Sequence, residues 1–160
     1  MKQYLDTLIS YRFHWIITVT LIALLTVFDL WTKYFFYTHQ NTIFTRVQPA
    51  FNQGISYSVS INMAIIILLS SLCLLAIINM YQRRTIHDAI FILLMSGWLW
   101  NLIDRTVYGW VRDFIYIGDI IPIFNFIFNI ADVLLILGWI LLLYHYSNMD
   151  VGSDYNNTTI

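Results

Sequence analysis

Glutamate is missing from this 160-residue chain: its nine acidic residues are all aspartates. Charge of either sign is scarce, with charged residues making up 11% against about 25% in an ordinary soluble domain. Together with a hydrophobic content of 59%, this scarcity argues against a water-soluble globular domain. A net charge of −1 gives no electrostatic ground for nucleic-acid binding. The single cysteine, Cys73, excludes an internal disulfide, and its apolar surroundings fit a small buried or lipid-facing residue. His14, His39, His87 and His145 are scattered without ligand spacing, so no metal site is expected. There is neither a G-x-S-x-G for a serine nucleophile nor a glycine-rich phosphate loop, and no cofactor is expected.

What the chain does have is long apolar runs, and runs of roughly 18 or more such residues read as membrane spans. Four can be placed: about Phe13–Phe36, Ile61–Tyr81, Ala89–Tyr108 and Pro122–Tyr146. The expected fold class is therefore an all-α membrane protein with four transmembrane helices. Lys2 and Arg12 precede the first run, but no small-x-small cleavage site follows it, so a retained span is expected rather than a removed signal peptide. Lys33, Arg105 and Arg112 each lie next to or one helical turn from an aspartate and look like site or structural charges. With these set aside, Lys2, Arg12, Arg83 and Arg84 stand against Arg46 alone. That bias predicts both termini on the cytoplasmic side.

Between the first two spans, Tyr37–Ser60 holds the alternating pieces TIFTRV and ISYSVS around Pro49 and NQG. Alternation beside turn residues predicts short strands, a β-rich cradle on the outer membrane face. The domain expected is residues 1–146, followed by a polar, disordered tail over 147–160.

The charges Asp104, Arg105, Arg112 and Asp113 crowd into ten residues of this charge-poor chain. An aspartate within a span costs about 2.5–3.5 kcal/mol on insertion scales, so it normally faces a partner or a wet cavity. Asn125, Asn129 and Asp132 follow i, i+4, i+7 and would form one polar face of the fourth span. Gly97, Asn101, Asp104 or Arg105, and Tyr108 would do so on the third. Lipid offers no hydrogen bonds, so the two stripes should face each other. Asp113 would then sit at the mouth of the site. Asp132 would lie about ten residues into its helix, on the order of 15 Å deep. Two carboxyls in a low-dielectric pocket can share one proton, the working arrangement of aspartic proteases. Spacing alone equally allows Asp–Arg pairs that only fix helix packing, or a proton relay.

Four stretches, in order, resemble the bacterial lipoprotein signal peptidases (signal peptidase II). DLWTKYFF is similar to the family's D-x-x-T-K, and FNQGISYSV to its N-x-G block. NLIDRTVYGWVRDFI is similar to N-x-x-D-R-x-x-x-G-x-V-x-D-F-I, and FNIADVLLILG to F-N-x-A-D with an apolar run. The resemblance implies an aspartic endopeptidase of the inner membrane. It would cut prolipoprotein signal peptides on the amino side of a diacylglyceryl-modified cysteine, with membrane lipid around it and its site facing the outer leaflet. By position it makes Asp113 and Asp132 the catalytic pair. Asn52, Gly54, Asn101, Arg105 and Asn129 become residues that line and support the site. Asp29 and Lys33, spaced i, i+4, match the first block as a structural polar pair, and Asp104 is also read as structural. Arg112 is expected to reach lipid phosphate or water by snorkelling. Trp110, Phe114, Tyr116 and Phe35–Tyr37 are expected at interfacial depth.

The chain departs from the family where G-G-x-x-G-N is usual: it reads SGWLWN, keeping Gly97 and placing Trp100 directly before Asn101. An indole there must force helices apart or point elsewhere. Ile55 after Gly54 would narrow the cradle. A proton-linked transporter would instead predict inverted repeats and broken helices, which are not visible in the sequence. A non-catalytic scaffold would predict that Asp132→Asn changes nothing.

Overall fold

A computed structural model describes residues 2–39, 47–52, 62–118, 120–121, 123 and 126–157. Four helices in it are long and apolar enough to cross a membrane. Helix α1 spans Lys2–Thr38, with its membrane-length part at Arg12–Thr38; α2 spans Met63–Gln82; α3 spans Asp88–Tyr108; and α4 spans Ile130–Asn157. Two of the helix termini follow directly from local chemistry. The Asn62 side chain accepts from the Ala64 backbone N–H at 2.9 Å and caps α2. Gly109 ends α3 at φ 78°, a left-handed conformation that glycine adopts without a Cβ penalty, and returns its N–H to Arg105 O at 3.1 Å.

Among the described residues, three short strands form one antiparallel sheet in the order β1–β2–β3: Val47–Asn52, Val111–Tyr116 and Ile127–Phe128. Only β1, among the described residues, lies in the segment expected to form the cradle. Helix α1 takes the beginning of that segment as far as Thr38, and ISYSVS lies outside the described residues. The other two strands come from either side of the α3–α4 connection. The register sets Ala50 opposite Asp113 and Asn52 opposite Val111.

The fourth helix differs from expectation in its start. Ile127 and Phe128 pair with Tyr116 and Ile115 in the sheet, so the helix begins only at Ile130. Asp132 is thus in the first helical turn, not ten residues deep. The expected helical face through Asn129 and Asp132 does not form, and Asn125 lies outside the described residues. At the other end, α4 runs to Asn157, through most of the stretch expected to be disordered; its lone Gly152 and the absence of proline leave no strong stop.

Ile77, Ile86, Ile90, Phe91, Leu94 and Leu142 form a buried apolar cluster joining α2, α3 and α4. Farther along, α3 meets α4 closely at Gly97, where a Cβ would come within 2.6 Å of both Ala131 O and Leu135 Cγ. Trp100 is half-buried and does not prevent this approach. Large apolar side chains such as Phe13, Leu24, Leu75 and Leu143 point outward, as they should where the solvent is lipid.

Candidate active site

The polar residues singled out in the sequence converge where α3, α4 and β2 meet. Asp113 comes from the middle of β2, is 2% exposed, and accepts hydrogen bonds at both carboxylate oxygens. Asn52 Nδ2 donates to Oδ2 at 3.0 Å and Asn129 Nδ2 to Oδ1 at 2.6 Å. Asp132 is matched in the same way. Asn101 Nδ2 donates to its Oδ1 at 2.7 Å, and the Asn129 backbone N–H to its Oδ2 at 3.1 Å.

Asn129 joins the two acids. Its Oδ1 accepts from the Asp132 backbone N–H at 3.0 Å while Asp132 accepts from the Asn129 backbone N–H. This reciprocal arrangement is a capping box, in which N-cap and N3 side chains satisfy each other's backbone donors. The sequence NIAD carried that signal, but the expectation of a longer helix hid it. The remaining donor of Asn129 is shared between Asp113 and Asn101 Oδ1, the latter at 3.2 Å.

Burial raises the Asp113 carboxyl to about 7, with the nearby charge of Asp132 adding to the rise. Hydrogen bonds from Asn52 and Asn129, and the positive charge of Lys33, pull against it.

A second layer of charge lies behind these groups. Lys33 Nζ, fully buried, pairs with Asp29 at 2.7 Å and Asp104 at 3.2 Å and donates to Asn101 Oδ1 at 3.3 Å. Asp104 also holds Arg112, at 2.7 Å to Nη2 and 3.2 Å to the backbone N–H. Arg112 is therefore turned inward, over the Tyr108 ring at 4.6 Å, and not toward lipid headgroups. The buried carboxylate of Asp104 outcompetes that alternative. Asp29 does more than pair with Lys33: its Oδ1 accepts from the Ala131 backbone N–H at 2.9 Å, beside Asp132. Arg105 Nη1 donates to Asn101 O at 3.1 Å and braces the turn that carries Asn101. Gly54 lies outside the described residues.

Two aromatic expectations change. Phe114 is 1% exposed and stacks on Phe36 at 4.7 Å, so it is core and not an interfacial anchor. The Tyr37 hydroxyl donates to Ala50 O and, at 3.3 Å, to Asp113 O, tying α1 to the sheet beside the site. Its partners lie 13 and 76 residues away, and no local pattern announces them.

This constellation coincides with a match to the signal peptidase (SPase) II family over residues 21–148. The chain belongs to the signal peptidase II family. Among curated relatives it is 38% identical over 89 residues to a lipoprotein signal peptidase of Buchnera aphidicola subsp. Baizongia pistaciae (strain Bp). That stretch covers 51% of this chain and 52% of the relative. It is 34% identical over 96 residues to a lipoprotein signal peptidase of Clostridioides difficile (strain 630), covering 57% of this chain and 62% of that protein. The matches thus span little more than half the length of these relatives.

Two solved bacterial membrane enzymes share the architecture. One superimposes with a TM-score of 0.72 at 24% identity, covering 89% of this chain and 91% of the other, and is similar in fold. The second has a TM-score of 0.69 at 25% identity, covering 79% and 90%. With its four membrane-length helices, this signal peptidase II family member is a multi-pass bacterial membrane protein.

Proposed function

We propose that the protein is an intramembrane aspartic endopeptidase that removes the signal peptide from diacylglyceryl-modified prolipoproteins. It cuts on the amino side of the lipidated cysteine. The observation that carries this reading is the pair of buried Asp113 and half-buried Asp132, bridged by Asn129, with an N–H donor on every carboxylate oxygen. Family membership and the relatives named lipoprotein signal peptidase support the substrate class.

In this scheme the pair holds one proton, which belongs to both acids jointly. Near neutral pH one acid of the pair carries it and donates a hydrogen bond to the scissile carbonyl oxygen. The other, ionised, takes a proton from a water molecule as the water oxygen bonds to the carbonyl carbon. The proton then passes to the departing amine nitrogen as the C–N bond breaks, and no covalent enzyme intermediate forms. Asn52, Asn101 and Asn129 orient the carboxylates throughout, and Arg105 supports Asn101.

Residues 1–146 form the peptidase unit, with both termini cytoplasmic and the aspartates toward the outer leaflet. Two features favour that orientation. His14 contacts Asp88 at 3.1 Å, which brings Arg12 to the same end of the bundle as Arg83 and Arg84. Lys33 and Arg112 are committed to internal ion pairs, so they drop out of the flanking-charge bias.

The test uses purified protein in lipid, with a prolipoprotein offered in its diacylglyceryl-modified and unmodified forms and the products weighed by mass spectrometry. Cleavage of the modified form alone, before the modified cysteine, is expected. Folded protein that cuts neither form contradicts the reading.

A further inference from the structure

Lys33 stands apart from the proposed chemistry because it touches neither candidate catalytic carboxylate. It is nonetheless buried completely, and a buried ammonium must be both paired and hydrogen-bonded. Its three N–H groups face three acceptors: Asp29 at 2.7 Å, Asp104 at 3.2 Å and Asn101 Oδ1 at 3.3 Å. Two carboxylates would suffice to balance its charge. The third contact goes to the residue whose other end holds Asp132.

An asparagine amide is nearly symmetric in shape but not in hydrogen bonding, with two donors at one end and an acceptor at the other. As it stands, Asn101 gives its Nδ2 to Asp132 Oδ1 at 2.7 Å. The flipped amide would set NH₂ against the Lys33 ammonium, which cannot accept, and against the Asn129 NH₂. Its carbonyl oxygen would then face the Asp132 carboxylate. Asn129 resists the flip too, but an ammonium, lacking any acceptor, forbids it most strongly. Its carboxylate partner Asp29 grips the other side of the same turn through the Ala131 backbone N–H. Helix α1 thus reaches Asp132 through these relays.

We propose that Lys33 is a positioning residue: it locks the Asn101 amide so that a donor always faces Asp132. The inference deepens the peptidase reading and rests on it where turnover is measured. A Lys33→Met change alone would leave Asp29 without its counter-ion and could unfold the protein. The decisive variant is therefore the double change Asp29→Asn with Lys33→Met. It keeps the local charge balanced, leaves an oxygen for the Ala131 N–H and Arg112 as the counter-ion of Asp104, and removes the donor to Asn101 together with the Lys33–Asp104 contact.

Two readouts decide the matter, both on full-length protein in lipid. The first is cleavage of the diacylglyceryl-modified precursor. The double variant is expected to lose on the order of 100-fold in kcat, the scale of a misplaced reacting group, with KM little changed. Adding Asn101→Ala should bring little further loss, because the two changes break one relay. The second readout does not depend on activity: the side-chain amide signal of Asn101 in protein labelled with ¹⁵N-asparagine, assigned by its absence in Asn101→Ala. It should be a single sharp pair in the wild type and shift or broaden in the double variant.

Wild-type turnover in the folded double variant, or an unchanged Asn101 signal, overturns the proposal and leaves Lys33 a charge-balancing residue. If the wild type itself fails to cleave, the peptidase reading falls, and the amide signal alone still decides whether Lys33 orients Asn101.

Discussion

Asn129 and Asp132 hold each other by two reciprocal hydrogen bonds, side chain to backbone N–H in each direction, at 3.0 and 3.1 Å. The device that starts helix α4 therefore also aims one acid of the pair. Because the free end of Asn129 reaches Asp113, helix capping and the geometry of the acid pair are one feature.

The two roles of Asn129 can be separated by substitution. Asn129→Ala removes the cap and the bridge and should lower stability by about 1–2 kcal/mol, with cleavage abolished. Asn129→Ser keeps an oxygen able to cap but loses the donor to Asp113. It should unfold near the wild-type temperature while turnover stays low. Thermal unfolding in detergent, run beside the cleavage assay, checks both.

The pH profile should report the proton shared by Asp113 and Asp132. A carboxyl raised from 3.8 to about 7 is easier to keep protonated in the folded protein. Its stabilising contribution is therefore complete below about 3.8 and is lost as pH rises through about 7. Turnover needs the shared proton and should fall on the alkaline side with a limb near 7. The Asn52 hydrogen bond favours the ionised form, so Asn52→Ala should move that limb to higher pH. An unmoved or lowered limb in the variant would contradict this assignment.

Two glycines should respond differently to alanine. At Gly97 a Cβ meets backbone, Ala131 O at 2.6 Å, so α4 must shift beside Asp132. Gly97→Ala should cost about 1–3 kcal/mol and reduce cleavage as well. At Gly109 there is open space but φ is 78°, and Gly109→Ala should cost about 1 kcal/mol with turnover retained. Unfolding curves and initial rates for the two variants make the comparison.

The spans were legible because lipid imposes one rule on every helix, and the runs around Leu24, Leu68, Leu94 and Leu137 obey it. The site residues were legible as motifs, since Asn101, Asp113, Asn129 and Asp132 keep their family spacing. Their partners were not. Asp29 reaches Ala131 across 102 residues and Lys33 reaches Asn101 across 68, and no local periodicity encodes such contacts. The start of α4 was misread because Phe126–Phe128 are apolar enough for a span, while the pairing of Ile127 and Phe128 with Tyr116 and Ile115 is set by the preceding strand and not by their own periodicity. Arg112 was misread for a similar reason: its inward turn is set by Asp104, eight residues back across the Gly109 bend.

The central claim is that Asp113 and Asp132 together activate water. The measurement that tests it most directly compares wild type, Asp113→Asn and Asp132→Asn in lipid for both binding and cleavage of the diacylglyceryl-modified precursor. Each substitution keeps side-chain shape, removes ionisation and turns one accepting oxygen into an amide donor. The account predicts that both variants bind the precursor as the wild type does and cleave it at least a thousandfold more slowly, a loss of about 4 kcal/mol in transition-state stabilisation. Wild-type cleavage by either variant would contradict it.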